Sequence, residues 1–246
     1  MSQFSTTEDT ILQGRLRLLQ PSKGYRFGSD AMLLAAAVQG EPGQKVLELG
    51  CGVGAVLLAV ASRLGQVSFT GIEREVPYAS LAEKNIALNG MENRITLVQG
   101  DLHDKELFHR LGTFDHVISN PPYYEAHSSG AVAWLRRVAR QEGEEGIAGW
   151  LQAANRFLKP NGTVTLIYPV ERLQEVLDGL ARFAGAVTIY PLWPQQGVPA
   201  KRMLVTAKKS SRAPLSIRAG LALHQADGTL TPEAHAIINE GQGLPI

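Results

Sequence analysis

The chain has 246 residues, 44% of them hydrophobic, so it can bury a substantial core in one α/β domain with short appendages. Its net charge of +1 gives no bulk attraction for a polyanion, so any nucleic-acid contact must rely on a local patch. The single cysteine, Cys51, excludes an intramolecular disulfide and fits a reducing compartment. No apolar run is long enough to span a membrane and the polar start lacks a signal peptide, so we expect a cytoplasmic protein.

The N-terminal segment predicts a frayed start, one strand and one capped helix. The polar residues 1–9 show no pattern of burial. Alternating side chains over 14–21 indicate a strand, and an apolar run over 31–37 indicates a buried helix. Ser29 is the expected N-cap of that helix, and Asp30 in its first turn suits the helix dipole. A capped buried helix accounts for this pattern without any further function.

A strand, a glycine loop and a helix come next. Residues 45–49 predict a short strand, and a loop that contains Gly50, Gly52 and Gly54 follows it. Apolar residues then recur at helical spacing over 53–64, which predicts a helix. This order places backbone N–H groups close to a ligand at the start of a helix. The spacing lacks the further glycine that a dinucleotide fold would carry, which disfavours a nicotinamide or flavin dehydrogenase.

Two acidic residues follow the next two strands. Glu73 comes directly after a strand over 67–72, where a carboxylate can accept hydrogen bonds from both hydroxyls of a ribose. Asp101 follows a strand over 94–99 and could accept a hydrogen bond from the amino group of an adenine. Because strands and helices alternate, we predict a parallel, doubly wound α/β sheet with its ligand at the carboxyl ends of the strands.

The stretch from Asn120 to Tyr123 ends an apolar strand over 114–119 with two prolines. Each proline restricts the residue before it, so the corner is stiff before anything binds. The Asn120 side-chain oxygen and the Pro121 carbonyl can accept both N–H bonds of an exocyclic amine, while Tyr123 offers a face for a flat base. Holding both protons localises the nitrogen lone pair and makes the amine nucleophilic. The alternative is a proline-rich turn without a chemical role.

The alternation of strands and helices stops after the fifth strand. Residues 163–168 predict that strand, and residues 187–190 and 203–207 predict two more strands joined without a helix. Such a pair is antiparallel and lies at one edge of an otherwise parallel sheet. A short helix capped by Thr231 follows near the end of the chain.

Basic residues in two places have open interpretations. Residues 125–146 form a long loop beside the expected site, where Arg136 and Arg137 either face phosphates or lie on a solvated helix face. Lys201 and Arg202 could contact RNA, or they could belong to an ordinary exposed loop. The six histidines are scattered and form no metal-ligand cluster, so no metal is expected.

The combined motifs resemble those of class I S-adenosylmethionine-dependent methyltransferases. Four elements carry this likeness: Val46 to Gly54 as the first motif, Glu73 as the ribose-binding acid, Asp101 as the adenine-side acid, and Asn120 to Tyr123 as the NPPY box. The NPPY box implies methylation of a planar amide or amine nitrogen. The resemblance also implies a doubly wound, mainly parallel, seven-stranded sheet with an antiparallel edge pair.

A closer similarity covers most of the chain. It is to the bacterial family that methylates N6 of the adenosine just 3′ of the anticodon in valine tRNA, and it is carried by residues 25–35, by the second tyrosine, Tyr124, and by the short tail. The resemblance implies that residues 1–44 close the site, that 45–210 form the methyltransferase domain and that 211–246 pack on it as an extension.

The expected site residues fall into three groups. S-adenosyl-L-methionine would be bound by Asp30, Glu48, Gly50, Gly52, Glu73, Asp101 and Asn120. Catalysis would rest on Asn120, Pro121 and Tyr123. Contacts to tRNA would come from Tyr123, Tyr124, Arg136, Arg137, Lys201 and Arg202. Guanine N2 of ribosomal RNA, protein glutamine, a small molecule, and a nucleotide-binding module without catalysis stay open as alternatives, as does the oligomeric state.

Overall fold

The computed structural model describes residues 5–23, 26–123 and 146–246. Its strands are β1 (Thr6–Ile11), β2 (Leu16–Pro21), β3 (Lys45–Leu49), β4 (Ser68–Glu73), β5 (Ile95–Gln99), β6 (Phe114–Ser119), β7 (Leu158–Pro169), β8 (Ala184–Gln195), β9 (Arg202–Lys209), β10 (Ser216–Ile217) and β11 (Leu221–His224). Its helices are α1 (Ser29–Ala37), α2 (Ala55–Arg63), α3 (Val76–Leu88), α4 (Lys105–Leu111), α5 (Gly146–Phe157), α6 (Leu173–Leu180) and α7 (Pro232–Glu240), with a 3-10 turn at Val170–Arg172.

The main sheet has the strand order β10-β8-β9-β7-β6-β3-β4-β5. Strands β3 to β7 pair in parallel, whereas β9 runs antiparallel to both β7 and β8. This confirms the predicted α/β class, the mainly parallel sheet and the antiparallel pair near one edge. The predicted seven strands, β3 to β9, are extended by β10 and β11, which pair in parallel with β8. The sequence predicts an extended stretch over 215–223, and the two short strands lie within it or at its end.

Two hydrophobic layers cover the two faces of this sheet. One layer packs side chains of α1, α2 and α3 together with β2, and the other packs those of α5 and α6. The strands between the layers are nearly continuous apolar runs, as expected for a parallel sheet that is buried on both faces. Helices on both faces leave the ends of the strands accessible, and the site described below lies at their carboxyl ends.

The N-terminal hairpin corrects one prediction. Residues 5–9 of the segment that we expected to be frayed are ordered, because β1 pairs antiparallel with β2 along its whole length. The side chains of β1 are mostly exposed, so no apolar alternation marks this strand in the sequence. Its stability comes instead from the partner strand and from the Arg17–Glu8 ion pair across the two strands.

The cap of α1 corrects a second prediction. Gly28 occupies the N-cap position with extended backbone angles, and Ser29 is already the first helical residue. The predicted cap of α7 is confirmed, because the Thr231 hydroxyl accepts a hydrogen bond from the Ala234 N–H at 3.2 Å. Within the part of the chain that the structure describes, no helix combines the length and the apolar character needed to cross a bilayer.

Candidate active site

The site lies where the chain reverses its direction of travel across the sheet. From β3 the chain proceeds outward to β4 and β5, and it then crosses back to β6 on the other side of β3. Ligands of open α/β sheets bind at such a switch point, outside the carboxyl ends of the strands. Here the Ser119 hydroxyl donates to the Leu49 carbonyl at 3.0 Å, so the residues that follow β6 and β3 begin side by side.

The loop after β3 is a tight turn built from glycines. Gly50, Gly52 and Gly54 have φ angles of 66°, 56° and 83°, a region that is costly for other residues. A Cβ added at Gly52 would have no atom of the described residues within 4 Å, other than those of its chain neighbours. The loop is pinned to β4, since the Cys51 N–H donates to the Ile72 carbonyl at 3.0 Å.

Glu73, at the end of β4, forms hydrogen bonds with this loop. Its two carboxyl oxygens accept hydrogen bonds from the Gly52 N–H and the Glu75 N–H, both at 2.8 Å. The Arg74 N–H acts on the same carboxyl as a third backbone donor, so the carboxylate retains acceptor capacity for one ligand hydroxyl. The Gly52 N–H therefore points to Glu73 rather than to a ligand. Burial raises the pKa of the Glu73 carboxyl, although the backbone donors work in the opposite direction.

Glu48 is a second acidic group behind the loop. It is only 2% exposed, and burial raises its pKa well above the usual range, with the nearby Glu73 adding to the shift. The Leu57 N–H, in the first turn of α2, opposes this rise in the Glu48 pKa. Its Oε2 atom has no hydrogen-bond partner among the described residues.

Asp101 completes the acidic edge of the site. It lies just beyond β5, whose Gln99 is paired with Glu73 in register, so the two carboxylates follow neighbouring strand ends. Its Oδ1 accepts a hydrogen bond from the His103 N–H at 2.9 Å, and its Oδ2 lies 3.7 Å from Nη1 of Arg74. The side chain is partly exposed and can accept a further hydrogen bond.

These features fit S-adenosylmethionine. Among the described residues, the backbone at Gly52 has room beside Glu73, which keeps an acceptor site suited to a ribose hydroxyl, and Asp101 offers an acceptor one strand further along. A second carboxyl, Glu48, is buried behind the same loop.

The corner after β6 leaves Asn120 at the surface of the site. Asn120 is partly exposed whereas Pro121 is buried, so the corner is anchored by its first proline. None of the described residues forms a hydrogen bond with the Asn120 side chain, whose carbonyl oxygen and amide group are therefore available to a ligand.

Tyr123 is held by a charged cluster drawn from distant parts of the chain. Its hydroxyl donates to Oδ2 of Asp30 at 2.9 Å and accepts from Nε of Arg202 at 3.0 Å. Arg202 also pairs with Asp30 at 3.3 Å, and its guanidinium carbon lies 4.3 Å from the centroid of the Tyr123 ring. Burial and the Asp30 charge raise the pKa of Tyr123, so the phenol stays protonated. The ring is thus fixed by α1 and β9 as well as by its own corner.

The residues predicted to contact the substrate differ in their exposure and in their partners. Arg202 has a side chain only 19% exposed within the Tyr123 cluster, whereas Lys201 beside it is exposed. Asp30, expected to contact the cofactor, has Tyr123 and Arg202 as its partners. The expectations for Tyr124, Arg136 and Arg137 lie outside the described residues.

Two aromatic residues of the site escaped the sequence interpretation. The ring of Trp150, on α5, lies against Gly50, where an added Cβ would come within 2.5 Å of it. Tyr168, near the end of β7, meets Tyr123 edge to face with ring centroids 6.0 Å apart. The position of Tyr168 could have been inferred from the sequence, because this residue ends a predicted strand. The position of Trp150 could not, since the pattern of an amphipathic helix does not show which loop its side chains face.

Comparison with known proteins agrees with this geometry. The family model of the methyltransferase small domain matches residues 25–187. Relatives include proteins called tRNA1(Val) (adenine(37)-N6)-methyltransferase in Yersinia pestis (strain Pestoides F) and Yersinia pseudotuberculosis serotype IB (strain PB1/+), each 31% identical over 221 residues. These alignments cover 87% of this chain and 86% and 84% of the two relatives.

Solved structures share the architecture. A crystal structure described as a predicted O-methyltransferase from Agrobacterium tumefaciens is 29% identical, with a TM-score of 0.73 over 88% of this chain and 99% of that one. A type I restriction-modification methyltransferase subunit from Streptococcus thermophilus shares the fold at 20% identity, with a TM-score of 0.60 over 86% of this chain and 51% of that one. The chain therefore belongs to the methyltransferase small domain family and is an S-adenosylmethionine-dependent methyltransferase.

Proposed function

We propose that this protein methylates N6 of an adenosine in tRNA, and that its target is adenosine 37 of a valine tRNA, next to the anticodon. The observation that carries the proposal is the corner after β6. There the Asn120 side chain is open to a ligand beside a fixed tyrosine ring, and the Ser119–Leu49 hydrogen bond sets this corner next to the glycine loop. The activity for which the Yersinia relatives are named supports the choice of tRNA and of position 37.

In the proposed mechanism, Asn120 and Pro121 prepare the acceptor. The Asn120 side-chain oxygen and the Pro121 carbonyl would each accept a hydrogen bond from one N–H group of the exocyclic amine. These two hydrogen bonds draw the nitrogen lone pair out of the ring and toward the glycine loop. When bound, S-adenosylmethionine supplies an electrophilic methyl group on a positively charged sulfur. The protein's main contribution is alignment of the amine with that methyl group, together with exclusion of water.

Tyr123 orients the base and does not act as a proton acceptor. Its raised pKa keeps the phenol neutral, and its hydroxyl is already engaged with Asp30 and Arg202. The ring can therefore serve as a stacking platform for an adenine that is turned out of the anticodon loop. No strong base is needed, because the methylated amine is acidic enough to release its proton to water after the transfer.

The remaining site assignments complete the proposal. Glu73 would hold the ribose of the cofactor, Asp101 its adenine, and Glu48, Gly50 and Gly52 the adjoining loop. Residues 1–44 would help to close the site and 211–246 would serve as an extension on the domain 45–210. Lys201 would contact RNA phosphates, together with Tyr124, Arg136 and Arg137. A tRNA substrate and a single cysteine fit a cytoplasmic location.

The test is to identify the methylated nucleoside. An unmodified valine tRNA transcript, incubated with the protein and labelled S-adenosylmethionine, should yield N6-methyladenosine on mass spectrometry. The same transcript with guanosine at position 37 is the matched substrate control and should stay unlabelled. Steep weakening of tRNA binding with salt would distinguish RNA from a metabolite as the substrate.

The alternatives predict different products in the same assay. Label in 2-methylguanosine of ribosomal RNA, in protein glutamine or in a small molecule would replace the tRNA proposal while leaving nitrogen methylation intact. Label on an oxygen atom would contradict the assigned role of Asn120, which is to hold two N–H bonds. Absence of transfer to any cellular RNA or protein would favour a nucleotide-binding module without catalysis.

A further inference from the structure

Asn85, on α3, is a fully buried polar residue that the sequence interpretation did not use. It is 0% exposed, and its side chain makes three hydrogen bonds within the protein. Its Oδ1 accepts from the Leu19 N–H at 2.7 Å, and its Nδ2 donates to the Leu19 carbonyl at 3.0 Å. The same Nδ2 donates to the carbonyl of Val53, in the glycine loop, at 2.9 Å. One amide thus joins the N-terminal hairpin to the loop that faces the cofactor.

Asn89, one helical turn later, repeats the two hydrogen bonds that Asn85 makes to the hairpin. Its Oδ1 accepts from the Arg17 N–H at 3.0 Å, and its Nδ2 donates to the Arg17 carbonyl at 2.7 Å. Its remaining contact is the Asn85 carbonyl within α3, at 2.7 Å. The two asparagines therefore bond to alternate residues on the edge of β2 that β1 leaves open, as a neighbouring strand would. Of the two, Asn85 alone also bonds to the glycine loop.

The Val53 carbonyl has a particular need for this donor. Val53 precedes Gly54, the N-cap of α2, so its carbonyl lies outside the helical hydrogen-bond ladder, which begins with the Leu58 N–H and the Gly54 carbonyl. Val53 also lies between Gly52 and Gly54, whose flexible backbones give the loop little stiffness of its own. The Asn85 amide and the Glu73 carboxylate thus hold two successive residues of the loop, Val53 and Gly52.

We infer that Asn85 is a positioning residue for S-adenosylmethionine binding, because it fixes the glycine loop and ties it to the N-terminal hairpin. The hairpin leads through Gln20, whose side chain accepts from the Phe27 N–H at 3.1 Å, to the start of α1 and hence to Asp30. Asn85 therefore links the cofactor loop to the segment that supports Tyr123. The inference concerns the cofactor side and does not depend on which acceptor is methylated.

Asn85→Ala and Asn89→Ala form a matched pair, because both variants loosen the hairpin and only the first frees the glycine loop. We expect the dissociation constant of S-adenosylhomocysteine, measured by calorimetry on the full chain, to rise about tenfold in Asn85→Ala, the effect of one lost buried hydrogen bond. Asn89→Ala should leave that constant unchanged while lowering the melting temperature. Hydrogen exchange without ligand should accelerate over residues 50–57 in Asn85→Ala alone.

A role limited to fastening the hairpin predicts another outcome. Both variants would then lower the melting temperature while leaving cofactor affinity and exchange in the glycine loop as in the parent protein, and the inference would be overturned. An equal loss of affinity in both variants would also overturn it, because Asn89 does not bond to the loop. If Asn85→Ala does not fold, Asn85→Ser, which keeps a small polar side chain, replaces it under the same criteria.

Discussion

The two halves of the site are assembled in different ways. The hydrogen bonds that hold the glycine loop come from residues 45–88, one continuous strand-helix-strand-helix stretch that includes Glu73 and Asn85. Tyr123 is instead held by Asp30 and Arg202, which lie far from it and from each other along the chain. The cofactor side is thus built by local sequence and the acceptor side by tertiary assembly. We therefore expect substitutions on the first side to change cofactor affinity, and those on the second to change turnover.

The largest expected effect is on the acceptor side. Asn120→Ala removes an acceptor that holds one amine proton, so transfer to tRNA should fall on the order of 100-fold, as when one positioned polar group is lost from other active sites. Cofactor affinity measured by calorimetry should hardly change, because the described residues show no bond between Asn120 and the glycine loop. A parallel loss of cofactor binding would mean that the two halves cannot be separated in this way.

On the cofactor side, Gly50→Ala should weaken S-adenosylhomocysteine binding by roughly 30-fold, corresponding to about 2 kcal/mol of backbone strain and displacement. Gly50 has a φ of 66°, and a Cβ there would lie 2.5 Å from the Trp150 ring. The matched control is Gly90→Ala, because Gly90 has a φ of 64° but an added Cβ there has no neighbour within 4 Å in the part of the chain that the structure describes. That control should lose stability without losing affinity; equal affinities for the two variants would exclude the Trp150 contact as the cause.

This contrast also explains what the sequence could predict. Residues 45–101 carry their signals in order, since strand, glycine loop, helix and terminal acid each have a local pattern. These local patterns place Glu73 at a strand end beside the loop, and the structure has its carboxylate bonded to Gly52. Its hydrogen bond to the Gly52 N–H does not follow from the pattern, because spacing alone does not show which groups of a loop face inward.

The acceptor side was predictable only in part. The rigid corner at Asn120 follows from its prolines, but the partners of Tyr123 come from α1 and β9, and no periodicity relates Asp30 to Arg202. The basic loop that Arg202 shares with Lys201 favours contact with RNA. The structure surrounds the Arg202 guanidinium with Asp30 and Tyr123, and the role of Arg202 toward RNA stays a prediction.

Arg202→Met and Lys201→Met sharpen this point by separating support of the ring from contact with RNA. Arg202→Met removes the cation over Tyr123 and one hydrogen bond to its hydroxyl, so turnover should fall about tenfold with little change in the salt dependence of tRNA binding. Lys201→Met removes an exposed cation, so it should weaken tRNA binding and reduce the salt slope by about one unit. If Arg202→Met changes the salt slope as well, Arg202 contacts phosphate directly.

The smallest expected effect concerns the buried carboxyls behind the glycine loop. Burial raises the pKa of Glu48 and Glu73 in the folded protein above the usual 4.5, so between these values the folded state binds more protons than the unfolded state. The free energy of unfolding should therefore fall as pH rises from 4.5 through the raised pKa values, and the loss should be complete above them.

Glu48→Gln replaces the more deeply buried of these two carboxyls with a neutral amide of similar size. It should raise the melting temperature of the ligand-free protein by a few degrees at about pH 8 and by much less at about pH 5. Glu83→Gln, which removes the same charge from an exposed position on α3, should leave the profile parallel to that of the parent protein. A Glu48→Gln profile that also runs parallel would mean that Glu48 does not carry the proton, and that Glu48 as well as Glu73 then places negative charge beneath the glycine loop.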